Sequence, residues 1–285
     1  MPDAPQLFVS PENKGAVLTA PYRYALCIEY QGTHYRGWQR QADGVVSVQG
    51  TLEKALSKIA NEPVSVICAG RTDACVNATY QIIHFETRAK RDLRAWIMGT
   101  NSNLPDDIAV KWAKVVPEHF HARFSALGRR YRYIILSAPV KPALLSKGVT
   151  WTHKMLDVGR MNAGAAHLVG EHNFNSYRAV NCQAKSPVRE VRALQVYQSG
   201  QLIVIDVAAN AFLHHMVRNI AGVLMAIGCG EAEPVWAKEV LDAQDRREGG
   251  VTAPPYGLYF VDVGYPEQFA LPKSELGPYF LTALD

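Results

Sequence analysis

Asp73 is the side chain in this sequence best placed to act as a nucleophile. It lies in GRTDACVNATYQIIHFET, residues 70–87, on a Gly-led turn between two apolar, strand-like runs. Residues 64–69 form a short β-type run closed by Gly70, and residues 81–85 resume β character. Arg71, Thr72 and Asp73 are therefore expected to project from a strand end. A carboxylate nucleophile must stay ionised, and the neighbouring Arg71 favours that form. The same residues allow a plainer reading, because an Asp after Gly commonly just accepts hydrogen bonds from nearby backbone N–H groups.

Two further residue patterns could carry chemistry. In GRRYRYII, Tyr131 and Tyr133 alternate with Arg130 and Arg132, so a strand would send the tyrosines to one face and these arginines to the other. In NAFLHHMVRNIAG, Asn210 can cap a helix on which Phe212, Met216, Ile220 and Leu224 recur every four positions, leaving Arg218 off the apolar stripe. His214 and His215 are adjacent and lack the i, i+4 spacing of a helical zinc pair, and His119 with His121 has no obvious third ligand. No GxxxxGK[ST] loop occurs. The expectation is a site with no metal and no cofactor.

Basic residues interleave with aromatics such as Tyr35, Trp38, Tyr131 and Tyr133. Arg36, Trp38, Arg40, Arg71, Arg123 and Arg130 are the candidate RNA-binding residues, since phosphates require cations and unstacked bases require aromatic faces. The excess of 30 basic over 26 acidic residues is small, a net +4, so the argument rests on local clusters and not on overall charge.

GRTDACVNA resembles the GRTDAGVHA-type motif of the tRNA pseudouridine synthase A family. The resemblance continues through EYQGTHYRGWQRQ at 29–41, NLPDDI at 103–108, FHARFSALGRRYRY at 120–133, ANAFLHHMVRNIAG at 209–222 and APPYGLYF at 253–260. It implies that Asp73 is the catalytic aspartate, that Arg218 pairs with it, and that Tyr131 stacks on a flipped uracil and assists loss of the C5 proton. It further implies a cofactor-independent homodimer that modifies uridines 38–40 in the anticodon stem-loop of tRNA. Cys75 stands where the family usually has Gly, Asn77 where it commonly has His, and Tyr80 where it commonly has Gly. The alternative of another class is a catalytically impaired RNA-binding or RNA-folding protein of the same fold. Retention of Asp73, Tyr131 and Arg218 together favours the enzyme, because a binder does not need that trio. A small-molecule glycosidase would call for two suitably placed carboxylates.

The elements that must hold these groups are legible in outline. With 285 residues and 48% hydrophobic composition the chain suits two domains with ordinary cores. No apolar run reaches the roughly 18–20 residues of a membrane span, and the start lacks the charged and apolar regions of a secretory signal. A cytoplasmic protein is expected, with its five widely spaced cysteines reduced and mostly in the core. Residues 1–20 read as an extension, 21–118 as a domain bearing the aspartate, and 119–285 as a C-terminal domain with RNA-binding segments and a tail packed over it. Strands and helices alternate as β-α-β-β-α-β in each half; in the first, Val48, Leu52, Leu56 and Ile59 recur at helical spacing behind Ser47 as N-cap, and a second helical stretch is expected near 93–100. The fold class expected is α+β, with two ferredoxin-like units whose mostly antiparallel sheets form a central RNA-binding cleft.

Overall fold

The computed structural model describes residues 21–42 and 44–282. The expected N-terminal extension, 1–20, lies outside them. The chain divides into two compact units: one extends to Leu127 and takes in Asp262–Leu276, while the other holds Gly128–Val261 and resumes at Gly277.

In the first unit, β1 (Tyr22–Tyr30) is followed by α1 (Val48–Ala60), β2 (Ile67–Cys68), β3 (Asn77–Thr87) and β4 (Ile108–Val115). Ser47 caps α1 as expected, its extended backbone turning Oγ to accept from Gly50 N at 3.2 Å. Leu52 and Leu56 on that helix are fully buried, each contributing roughly 2 kcal/mol of apolar burial. Asn61, at φ 56°, ends it in the left-handed region. The strand expected over 64–69 shrinks to two paired residues. The cause is local: Val64 N donates to Ser57 Oγ (2.9 Å) and Val66 N to Glu53 Oε1 (3.0 Å), so α1 side chains take the groups a partner strand would need. The expected helix at 93–100 forms, with a π-helical stretch at Ala95–Gly99.

The second unit contains β5 (Gly128–Ser137), β6 (Thr150–Thr152), α2 (Val158–Ala166), β7 (Gly170–Asn173), β8 (Val188–Ser199), β9 (Leu202–Ala209), α3 (Met216–Gly228) and α4 (Trp236–Ala243). The chain leaves this unit within β10 (Leu258–Gly264). Short β6 and β7 and helix α4 were not anticipated. The helix expected from Ala211 begins at Met216, because Asn210 does not cap it. Asn210 Oδ1 instead accepts from Glu190 N (3.1 Å) and Ala211 N (2.7 Å), closing the end of the β8–β9 pair. His215, at φ 62°, precedes the first helical turn in the left-handed region. His214 and His215 are thus not helix residues.

With the short β6 and β7 and helix α4 set aside, the elements of each unit run β-α-β-β-α-β, and these strands lie fourth, first, third, second: β4-β1-β3-β2 in one, β10-β5-β9-β8 in the other. The pairs β1–β3, β1–β4, β2–β3, β5–β9 and β8–β9 are antiparallel. β7 extends the second set beyond β8, and β6 runs parallel to β5. The fold is α+β.

The tail departs from expectation in part, since Asp262–Leu276 groups with the first unit while the chain from Gly277 stays with the second. Aromatic packing explains it: the Phe269 ring meets Phe120 edge-on at 5.0 Å, Tyr265 packs on Phe120 at 5.2 Å, and Tyr265 Oη donates to Ala122 O at 2.6 Å. Lys114 Nζ adds a bond to the Phe269 carbonyl at 3.1 Å. Among the described residues, no helix is long and apolar enough to cross a membrane.

Candidate active site

The Asp73 turn is built by the backbone around it. Beyond the two residues of β2, Ala69 N still donates to Ile82 O at 2.8 Å. The buried Gln81 side chain then prolongs the ladder, its Nε2 donating to Gly70 O (2.6 Å) and its Oε1 accepting from Gly70 N (3.4 Å). Past Gly70 the chain leaves the sheet. It closes a turn in which Val76 N donates to Asp73 O at 3.2 Å, with Cys75 at the third position in the left-handed region, φ 65°. Asp73 is half-buried, Arg71 exposed and Thr72 buried.

The loop at 31–38 grips this turn from beside it. Trp38 N donates to Thr72 O at 3.0 Å, Cys75 N donates to Tyr35 O at 3.3 Å, and the Tyr30 and Thr72 hydroxyls are 2.8 Å apart. Two glycines make the approach possible. A Cβ on Gly32 would stand 2.0 Å from Val76 O, and one on Gly37, at φ 96°, would stand 2.8 Å from Thr72 O. Only Gly tolerates either position. Asp107 in turn fixes the gripping loop: its carbonyl accepts from Gln31 N (2.9 Å) and its Oδ1 from Tyr35 Oη (2.5 Å). Burial, reinforced by that carboxylate, pushes the Tyr35 phenol well above its usual pKa. The GTHYRGW and NLPDDI stretches are therefore a scaffold for the turn at 70–76.

Tyr131 and Arg218 belong to the second unit. The alternation expected along β5 is present, with Tyr131 8% and Tyr133 0% exposed on the inner face. Phe260 stacks on the Tyr131 ring at 4.9 Å and 24°, and Phe212 meets it edge-on at 5.0 Å. Tyr133 is the core residue its position suggested, its Oη donating to Pro254 O at 2.8 Å and lying 2.6 Å from Thr150 Oγ1. Burial raises its pKa strongly, against the opposing effects of Thr150 and the Arg218 charge. Arg218 projects from the less buried side of α3, and its Nε donates to Ala253 O at 2.8 Å.

The residues expected to contact RNA fall into different environments. Arg36, Arg71 and Arg123 are exposed, and the Arg123 guanidinium lies 5.4 Å from the centre of the Phe124 ring. Arg40 is exposed but bonded to the buried carboxylate of Glu53 at 2.8 Å. Arg130 is committed to the buried Asp206, bonding both oxygens at 2.6 and 2.9 Å while Arg132 bonds the same carboxylate at 2.9 Å. Trp38 does not fit the expectation. At 1% exposure it is a core side chain packed against Tyr30 at 5.8 Å, so no base can reach its ring. The interleaved aromatics Tyr35 and Tyr133 are likewise buried.

A family model described as "tRNA pseudouridine synthase" matches residues 26–125 and 165–266. The protein named tRNA pseudouridine synthase A from Pseudomonas aeruginosa is 63% identical over 262 residues, which cover 92% of each chain. The chain belongs to the tRNA pseudouridine synthase family. Proteins of the same name from Alcanivorax borkumensis and Coxiella burnetii are 56% and 55% identical, each aligned over 91% of this chain and over 97% and 99% of their own lengths.

The side chains of Asn77, Tyr80 and Cys75, at and beside the turn, each have a partner. Asn77 Oδ1 accepts from Gly32 N at 2.9 Å, so it joins the turn to the gripping loop. Tyr80 is buried, packs on Trp112 at 6.1 Å and donates from Oη to the carbonyl of Pro272, tying β3 to the 262–276 segment. Cys75 Sγ lies 3.6 Å from Thr33 O. All five cysteines are free, but only Cys27 is fully buried, so the expectation of mostly core thiols holds for that one alone.

Proposed function

We infer that this chain isomerises uridine to pseudouridine in tRNA, with Asp73 as the nucleophile. In the reaction the N1–C1′ bond breaks, the uracil turns, C5 bonds to C1′, and the proton displaced from C5 is made up at ring nitrogen. Nothing is oxidised or reduced. The observation that carries the reading is the Asp73 turn: a half-buried carboxylate presented on a backbone loop that is gripped by two glycine approaches, in a chain so similar to proteins named for this activity. Attack at C1′, formation of a glycal, and addition to the pyrimidine ring all begin from that carboxylate.

Tyr131 is read as the ring that stacks on the extruded uracil and assists proton loss from C5, with Phe260 holding its other face. Arg218 is read as the cation that orients Asp73. Extruding a base costs a few kcal/mol, which phosphate contacts from exposed Arg36, Arg71 and Arg123 would offset. The substrate region is read as the anticodon stem-loop, uridines 38–40, bound by a cytoplasmic homodimer in which each tRNA touches both subunits. Each unit is read as ferredoxin-like, supported by the fourth-first-third-second strand order.

The test is pseudouridine formation in unmodified tRNA incubated with the protein. Product at 38–40 is expected. Binding of an anticodon arm should weaken steeply with salt, and a salt-independent affinity would count against an arginine–phosphate surface. Light scattering should report a dimer; a fully active monomer would remove that part of the reading.

A further inference from the structure

We propose that Arg246, Asn219 and Thr252 form a polar clamp that positions Arg218. This rests on the reading of Arg218 as the orienting cation. The segment 249–254 crosses α3 as a strap without regular structure. Its carbonyl at Ala253 holds Arg218 Nε at 2.8 Å, and Ala253 N donates back to Arg218 O at 3.1 Å. One helical turn further on, a Cβ at Gly222 would stand 1.8 Å from Val251 O, so the strap lies directly on the helix backbone there. Where the strap sits therefore decides where the Arg218 guanidinium can point.

Packing holds the strap at Ala253, which is buried, but not at Val251, which is 87% exposed, and Gly250–Pro254 form one wall of a cavity of about 850 Å³ lined also by Leu156, Met225 and Trp236. Hydrogen bonds fix the part that packing leaves open. The two N–H bonds of Arg246 Nη2 are shared among Gly250 O (2.9 Å), Thr252 Oγ1 (3.0 Å) and Asn219 Oδ1 (3.2 Å). Thr252 Oγ1 donates to Asn219 Oδ1 at 2.7 Å, and the fully buried Asn219 is itself fixed by donating to Tyr177 O at 2.8 Å. At its far end the strap is tied to β5, through Tyr133 Oη on Pro254 O, two residues from Tyr131. The clamp thus sets Arg218 on α3 relative to Tyr131 on β5.

The experiment compares Thr252→Val, Thr252→Ser and Arg246→Ala, each alone and in an Arg218→Lys background, by C5 tritium release from labelled tRNA and by tRNA affinity. Thr252→Val and Arg246→Ala are expected to lower kcat by about 10- to 100-fold, the cost of misplacing a group by roughly an ångström, with KM and affinity changed less than about twofold. Thr252→Ser, which keeps the hydroxyl, should restore turnover. In the Arg218→Lys background the same changes should add almost nothing. Equal losses in both backgrounds, or normal turnover of Arg246→Ala and Thr252→Val alongside a loss in Arg218→Lys, would overturn the clamp. Normal turnover of Arg218→Ala, assayed alongside, with a loss in Thr252→Val would instead overturn the reading of Arg218.

Discussion

The Asp73 turn and the Tyr131–Arg218 region are held by different means. Around Asp73 the main chain does the positioning: Trp38 N on Thr72 O, Cys75 N on Tyr35 O, and two glycines where a methyl group would collide with the turn. Around Tyr131 and Arg218 side chains do more of it, through the Phe260 stack, the Phe212 edge and the Arg246–Asn219–Thr252 bonds behind the strap whose Ala253 carbonyl holds Arg218. Backbone positioning tolerates changes of side chain but not of backbone shape. Side-chain positioning tolerates the reverse, so the two regions should answer differently to the same kind of mutation.

Among the residues that hold the two regions, the largest effect is expected from Gly32→Ala. Its added methyl would stand 2.0 Å from Val76 O, forcing the turn to move, with a loss of turnover of about a hundredfold and of stability of about 1–3 kcal/mol. A variant with unaltered tritium release would mean that the gripping loop does not set the turn. Next comes Phe260→Leu in the other region, which keeps an apolar residue but removes the stacked face; about 1 kcal/mol of stability should go, with a roughly tenfold fall in kcat, read by chemical unfolding and turnover together. Should kcat stay intact, Tyr131 does not need that support.

Acid should separate the regions further. His84 is buried in the first unit, where its Nδ1 accepts from Ala122 N at 3.1 Å and therefore has to be neutral. Burial first, then the charges of His121 and Arg23 against the opposing Glu86, lowers its pKa to about 4. The unfolded chain takes up this proton near pH 6.5, before the folded one does. Stability is therefore expected to fall as pH drops from about 6.5 towards 4. His84→Gln, which can still accept the bond but does not titrate, should show a shallower acid slope in urea unfolding; an unchanged slope would assign the loss elsewhere.

The smallest effect expected is from Cys75→Gly. Cys75 adopts φ 65°, a conformation costing an L-residue about 1–2 kcal/mol, while Gly adds about 0.4–1 kcal/mol of unfolded-state entropy. A gain of under about 1 kcal/mol with full activity is expected, and a destabilised variant would show that the Sγ contact with Thr33 O outweighs the strain.

What could be read from the sequence follows the range of the interactions. α1 was legible because its cap and apolar spacing are local, and β5 because Tyr131 and Tyr133 alternate with arginines. Trp38 was not, since an aromatic between arginines has the same pattern on an RNA surface and on a loop that turns its ring inward. Phe212 continued the four-residue spacing of α3, yet the left-handed His215 and the Asn210 bonds to β8 interrupt it, and neither appears in a periodicity. The placement of 262–276 depended on Phe120 and Tyr265 meeting across a long separation in sequence. Asp73 itself was legible as a turn carboxylate; its half-burial and the scaffold that grips the turn were not.

The most direct test is Asp73→Asn, which keeps the shape of the side chain and removes its charge. Folding and tRNA affinity are expected to stay as in the parent protein while C5 tritium release and pseudouridine formation disappear. Undiminished release by Asp73→Asn would contradict the assignment of the nucleophile, and loss of folding together with binding would leave Asp73 as a structural turn residue.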